Sequence, residues 1–180
     1  MNALIILADG FEEIEAVSVI DILWRGGVTV TIAGLDRELV AGANSIVITA
    51  DTVLSAVLDQ DYDAVILPGG EPGTTNLQNS DLVLDIISRH FRQGWVVAAI
   101  CAAPRIFAAM GILNGKKATS YPATKKAMVN CDYSEELVVV DGNVLTSRGP
   151  GTAMLFGYTI LERLGLTDMS IKLKQGMVFS

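Results

Sequence analysis

Cys101 ends a purely apolar run, Trp95-Val96-Val97-Ala98-Ala99-Ile100, and stands directly before a second apolar stretch, Ala102 to Gly111, with Pro104 in its first turn. The first run reads as a buried strand and the second as a helix. A cysteine at such a corner is held on a sharp turn, its sulfur facing the free amides and positive dipole end of the helix. That setting predicts a lowered thiol pKa and a thiolate nucleophile, the sulfur version of a nucleophile elbow. Three glutamates open an earlier helix, in Asp9-Gly10-Phe11-Glu12-Glu13-Ile14-Glu15. Glu12 and Glu13 read as acids that favour a positive helix end. Glu15 lies among Ile14, Val17 and Val19, on a face that should turn inward. A carboxyl buried beside a thiol would have a raised pKa, and the two groups would titrate as a pair.

Two glycine-rich loops could complete such a site. In Pro68-Gly69-Gly70-Glu71-Pro72-Gly73, consecutive glycines let backbone amides point inward with no Cβ in the way. The N–H groups of Gly70 and Ala102 are the candidate oxyanion hole, with Gly69 lining the pocket. The dinucleotide pattern G-x-G-x-x-G does not occur. Ser147-Arg148-Gly149-Pro150-Gly151-Thr152 precedes a helix, and Arg148, Gly149 and Pro150 could form the far wall of the pocket or meet a substrate anion. His90, near a helix C-terminus, reads as a surface cation, and Cys131, in a polar loop, as a spectator thiol.

The elements that must position these residues alternate from end to end. Strands are predicted over 3–8, 28–33, 62–67 and 95–100, and helices over 13–25, 82–92 and 102–111. Residues 39–48 read as a hairpin or an antiparallel edge, and 53–58 as a short helix. Asp141-Gly142-Asn143 joins two further strands in a hairpin, and a last long helix runs from Pro150 to about Leu164, with a turn or two after Thr167. This pattern implies one domain, residues 1–180, built on a doubly wound sheet whose site lies beyond the strands' carboxyl ends.

Composition removes several function classes. The net charge is −7, with no basic run beyond Lys116-Lys117 and Lys125-Lys126, so no nucleic acid partner is expected. Mean hydropathy is high at +0.44, yet no stretch reaches the roughly 18 apolar residues of a spanning helix, so no membrane is expected. Two cysteines without CxxC spacing and a single histidine make a zinc site improbable and suggest free thiols in a cytoplasmic protein without a signal peptide.

Four segments in order carry a resemblance: Ala8-Asp9-Gly10-Phe11-Glu12-Glu13-Ile14-Glu15-Ala16, Val65-Ile66-Leu67-Pro68-Gly69-Gly70, Ala98-Ala99-Ile100-Cys101-Ala102-Ala103-Pro104 and Leu145-Thr146-Ser147-Arg148-Gly149-Pro150-Gly151-Thr152. Over nearly its whole length the chain resembles the DJ-one/ThiJ/PfpI family, in its DJ-one branch. The resemblance implies a flavodoxin-like α/β/α sandwich, mostly parallel, with an added antiparallel hairpin. It also implies a homodimer paired through the first helix, where Trp24 is a candidate contact. Cys101 and Glu15 take the positions of the family's reactive cysteine and its hydrogen-bonded glutamic acid. The implied activity needs no cofactor: a glyoxalase or deglycase acting on small reactive aldehydes such as methylglyoxal, or on glycated thiol and amine adducts. The alternative is a redox-sensing, chaperone-like stress protein whose Cys101 oxidises to sulfinate. Two positions depart from the family. Ala102 stands where the peptidase-type members carry histidine after the cysteine. Tyr121, before Pro122, stands where animal members carry another histidine, and a tyrosine is a poor proton shuttle near pH 7.

Overall fold

In the computed structural model, which describes residues 1–179, the apolar runs become the inner strands of one seven-stranded sheet. Strand β1 (Asn2–Leu7) leads to α1 (Glu13–Arg25), and Gly26 with Gly27 at φ +81° ends that helix and feeds β2 (Thr29–Gly34). A hairpin of β3 (Leu39–Ala41) and β4 (Val47–Thr49) follows, then the two-residue strand β5 (Thr52–Val53). Next, β6 (Ala64–Leu67) leads through α2 (Gly73–Gln78) and α3 (Asp81–Gln93) to β7 (Val96–Ile100), and Cys101 starts the turn into α4 (Pro104–Ala109). A small parallel pair, β8 (Lys117–Ala118) with β9 (Asp132–Tyr133), precedes β10 (Val138–Asp141) and β11 (Val144–Ser147). Helices α5 (Ala153–Arg163) and α6 (Thr167–Gly176) come last.

The strand order is β10-β11-β7-β6-β1-β2-β5, and every neighbouring pair is parallel except β10 with β11. The period of two along each strand builds the layers. Ala3, Ile5 and Leu7, with Ile66 and Ala98, pack in one core with Val19 and Leu23 of α1 and Phe156 and Ile160 of α5. Leu4, Ile6, Val65 and Val97 enter the other core, against Val83 and Ile87 of α3 and Ile106 and Phe107 of α4. Strand β1 lies between β2 and β6, so the chain reverses direction across the sheet there. That reversal opens a crevice at the strands' carboxyl ends. The loops after β1 and β6 flank it, and Cys101 follows the next strand.

Several elements differ from the sequence reading. Residues 39–48 do form a hairpin, β3–β4, outside the main sheet, whereas 53–58 holds a strand end and a single 3-10 turn, Leu54–Ala56, instead of a helix. Helix α4 starts at Pro104 and is only six residues long. Helix α2 has no counterpart in the sequence reading, because Gly-Thr-Thr-Asn is weak in helix propensity. Helix α6 runs ten residues, beyond the turn or two expected. Ile14 (56% exposed), Val17 and Trp24 (53%) of α1 face outward, while Glu13 and Glu15 face in. His90 is fully buried rather than decorating the surface. Its Nδ1–H donates to Ile86 O at 2.8 Å and its Nε2 accepts the Tyr62 N–H at 3.2 Å, beside the Trp95 ring. None of the helices among the described residues is long and apolar enough to cross a membrane.

Candidate active site

Cys101 adopts φ +64°, a left-handed conformation that costs a non-glycine residue about 1–2 kcal/mol. Two backbone hydrogen bonds hold it there: Cys101 N–H donates to Ser147 O at 2.9 Å, and Tyr121 N–H donates to Cys101 O at 2.8 Å. The sequence thus sets the elbow by placing the tip of β7 between β11 and the segment before Pro122. The residue is buried, with 9% of its surface exposed.

The Gly69-Gly70 loop approaches this elbow so closely that side chains are excluded. A Cβ on Gly69 would lie 2.7 Å from Cys101 Cβ, 2.8 Å from Glu15 Oε2 and 3.0 Å from Ala102 N. Gly70 has φ +89°, and a Cβ there would lie 2.4 Å from Glu12 N. Glycine is required at both positions, at the first by contact and at the second by contact and conformation. Glu15 reaches the same point from the first turn of α1 and is 0% exposed. Its Oε2 accepts the Gly69 N–H at 2.7 Å, and its Oε1 is buried with no nitrogen or oxygen partner. The Cys101 thiol lies beside the carboxyl, and the Ala102 and Gly70 amides favour negative charge on the sulfur.

Burial pushes the Glu15 carboxyl up to about 7; hydrogen bonds from Cys101 and the Gly69 amide oppose this, and the Glu12 charge adds to it. Burial also pushes the Cys101 thiol up, the Glu15 charge and hydrogen bond push it further, and the Ala102 and Gly70 amides pull it back. The lowered thiol pKa expected from the sequence is therefore not found. That expectation relied on a helix dipole, but α4 begins three residues after the cysteine and is short. The coupling to Glu15 was expected, but burial and the Glu15 charge together outweigh the amides that favour the thiolate. Near neutral pH the pair carries one negative charge at most, and the thiolate forms when Glu15 holds the proton.

Tyr121, Arg148, Gly149 and Pro150 line a separate, shallow cavity of about 220 Å³ with Pro122, Gly151 and Thr152. Cys101 is not among its lining residues; the two regions connect through the Tyr121–Cys101 and Cys101–Ser147 backbone bonds. The Tyr121 ring is exposed, 3.2 Å from where a Gly149 Cβ would stand. The Arg148 guanidinium donates to Glu135 O at 2.7 Å, which turns it to a backbone carbonyl. So Glu15, Gly69, Cys101 and Ala102 form one buried cluster with the partly exposed Gly70 at its edge, and the other four form an outer wall.

Glu13 is more than the first-turn charge the sequence suggested. Its carboxylate accepts the Asn44 N–H at 2.7 Å, the Asn44 side-chain amide at 2.9 Å and the Ile46 N–H at 3.3 Å, bracing the β3–β4 turn against α1. Helical spacing offered a signal, since Glu13 shares the inward arc with Ala16 and Ile20. Among the described residues, no group of three His, Cys, Asp or Glu side chains is placed to hold a metal ion.

The chain is similar to known proteins over nearly its full length. The Drosophila melanogaster protein dj-1beta is 41% identical over 181 residues, covering 98% of this chain and 96% of that one. A Pyrococcus abyssi protein named a deglycase is 34% identical over 153 residues, covering 84% of this chain and 92% of its own. The crystal structure of Drosophila DJ-1beta superposes with a TM-score of 0.96, covering 99% of this chain and 98% of the other. A family profile matches residues 1–163, and with these similarities the chain belongs to the DJ-1/PfpI family.

Proposed function

We propose that the protein is a cysteine-dependent, cofactor-free enzyme of the glyoxalase or deglycase type, a cytoplasmic homodimer acting on 2-oxoaldehydes such as methylglyoxal or on their early adducts. The carrying observation is the buried pair itself: Glu15 Oε1 is buried without a hydrogen-bond partner, and the Gly69 backbone packs so close to Cys101, Glu15 and Ala102 N that no side chain fits between them. A carboxyl with a pKa of about 7 is suited to giving and taking protons at neutral pH. The Pyrococcus relative named a deglycase supports this class of reaction.

In this reading the Sγ proton passes to the Glu15 carboxylate as sulfur adds to the aldehyde carbon. The new oxyanion is met by the Gly70 and Ala102 amides and takes the proton back from Glu15. Glu15 then removes the proton from the hemithioacetal carbon, and the neighbouring carbonyl oxygen gains a proton to give an enediol. Glu15 returns its proton to the neighbouring carbon, and the hydroxyl on the sulfur-bearing carbon loses its own, so two protons move and none is lost. The aldehyde carbon is oxidised as its neighbour is reduced, leaving a thioester on sulfur. Water hydrolyses it to a 2-hydroxy acid and frees the thiol. No outside oxidant is consumed.

The test is lactate, measured directly, from methylglyoxal with purified protein and no glutathione. Turnover should fall below a typical enzyme median of about 10 per second, because Tyr121 is a poor shuttle. Cys101→Ser should abolish product with the fold intact, and Tyr121→His should raise turnover. No lactate above the Cys101→Ser background would refute the reading. The same unpartnered Oε1 favours a second one, a redox sensor in which protonated Glu15 hydrogen-bonds a Cys101 sulfinate. In that case mild peroxide adds two oxygens at Cys101 while lactate is absent.

A further inference from the structure

We propose that Arg105 is a positioning residue that clamps together the two loops supplying the Gly70 and Ala102 amides. One amide comes from the loop before α2 and the other from the turn before α4, and no strand pairing joins these two segments directly. Arg105, in the first turn of α4, spans the gap. Its Nη1 pairs with Glu71 Oε1 at 2.5 Å, Nη2 donates to Thr75 Oγ1 at 2.8 Å, and Nε donates to Gln78 Oε1 at 3.1 Å. Glu71 follows Gly70 in the chain, and its second oxygen accepts the Thr75 hydroxyl at 2.8 Å. All three faces of the guanidinium fork thus end on the Gly70 loop or on the short helix that continues it. A lysine could not reproduce that geometry.

Helix α2 is held from its other side as well: the Asn76 side-chain amide donates to Asp9 O at 3.0 Å, in the loop that leads to Glu15. The α2 segment is therefore a bracket between the three loops of the site, and Arg105 is its tie to the cysteine's loop. The arginine side chain is 20% exposed against 48% for Glu71, so solvent screens the charge pair and the fixed geometry of the fork matters more than its Coulomb energy. Sub-ångström placement of an oxyanion donor has large effects on rate, while ground-state binding is less sensitive.

This inference rests on the proposed reaction for its kinetic arm only. Arg105→Met keeps the aliphatic stem, and Glu71→Ala removes the acceptor at a half-exposed site. Each should lower kcat for lactate formation about tenfold, a fraction of the roughly 100–1000-fold cost of losing an oxyanion donor outright. KM should stay within about twofold. Arg105→Lys should recover part of the loss. The double variant should lose clearly less than the product of the two single losses, because Arg105 and Glu71 share a contact that either substitution already removes. The second arm is alkylation of Cys101 by iodoacetamide from pH 5.5 to 9, which needs no turnover. Weaker amide support should slow it about three- to tenfold across the range, leaving its inflection in place. A merely structural arginine would do the opposite, since loosening the loops exposes the sulfur and speeds labelling. Unchanged or faster alkylation in folded Arg105→Met and Glu71→Ala would overturn the clamp, as would losses that multiply in the double variant. If the native protein makes no lactate, the reaction is refuted and the alkylation arm still decides the clamp.

Discussion

Replacing Glu15 with glutamine should make Cys101 more reactive toward a simple alkylating agent and less able to turn over substrate. Glutamine keeps the acceptor for the Gly69 N–H and presents a neutral donor to the sulfur, as protonated Glu15 does. The reactive form in the native protein is thiolate beside a protonated carboxyl. Its population rises with pH only until the carboxyl itself ionises, at about 7, after which the Glu15 charge holds the thiol protonated. The native rate should therefore level off near pH 7. In Glu15→Gln it should keep climbing tenfold per pH unit toward the thiol's own pKa. At pH 6 the two proteins should react within about twofold of each other, and at pH 8 the variant should be about tenfold faster. Lactate formation should fall at least 100-fold, since glutamine carries no proton. Stability supplies a second magnitude. A folded-state pKa raised from 4.5 to about 7 means that the stability contribution is full below pH 4.5 and lost as pH rises through about 7. Glu15→Gln should thus stabilise the protein at pH 8 by up to about 3 kcal/mol, with the gain vanishing below pH 4.5. Iodoacetamide kinetics and urea denaturation at both pH values measure these effects. Superimposable alkylation profiles, or a variant slower at pH 8, would refute the view that the carboxylate suppresses the thiolate.

Gly69→Ala should cost about 1–3 kcal/mol, because its Cβ would overlap Cys101 and Glu15, and it should slow lactate formation in whatever protein folds; wild-type activity and urea midpoint would contradict the close approach. Burial holds the His90 pKa below its ordinary 6.5, so its contribution to stability is present above pH 6.5 and lost as pH falls toward the folded value. His90→Phe should flatten that part of the stability profile, by at most about 1.4 kcal/mol per pH unit, and an unchanged slope in denaturant titrations would count against it. Ile14, Val17 and Trp24 form an outward apolar stripe on α1. Sedimentation of the native protein should show twice the 19.1 kDa chain mass and Trp24→Glu should show the monomer; a native monomer at micromolar concentration would remove the dimer.

The fold was legible because its signals are local. The continuous apolar runs that become β1, β6 and β7, the Gly26-Gly27 stop and the Asp141-Gly142-Asn143 turn each sit within a few residues of what they specify. The elbow was legible for the same reason. Other features depend on contacts distant in the chain. Arg105 meets Glu71 across 34 positions, and Glu13 meets Asn44 across 31, with no spacing rule to link them. His90 has the flanks of a surface residue, Arg89 and Arg92, yet α3 turns it into a box of Tyr62 and Trp95. The raised thiol pKa is the hardest to read, because a helix end is visible in sequence, whereas the extent of burial at Cys101 depends on how the whole fold packs around it.

The left-handed backbone at Cys101 also bears on what would happen if selection on this site lapsed. Glycine accepts φ +64° without the penalty a cysteine carries, so the turn between β7 and α4 would be more comfortable with glycine at 101. A methionine or leucine would likewise sit more easily than a carboxyl in the fully buried place of Glu15. Drift under selection for folding alone should therefore erase both residues, and along the same direction that stabilises the chain. A descendant that kept the architecture but no longer used its thiol should be recognisable by glycine at 101 and an apolar residue at 15. Their joint presence here marks a sequence still held away from its most stable form.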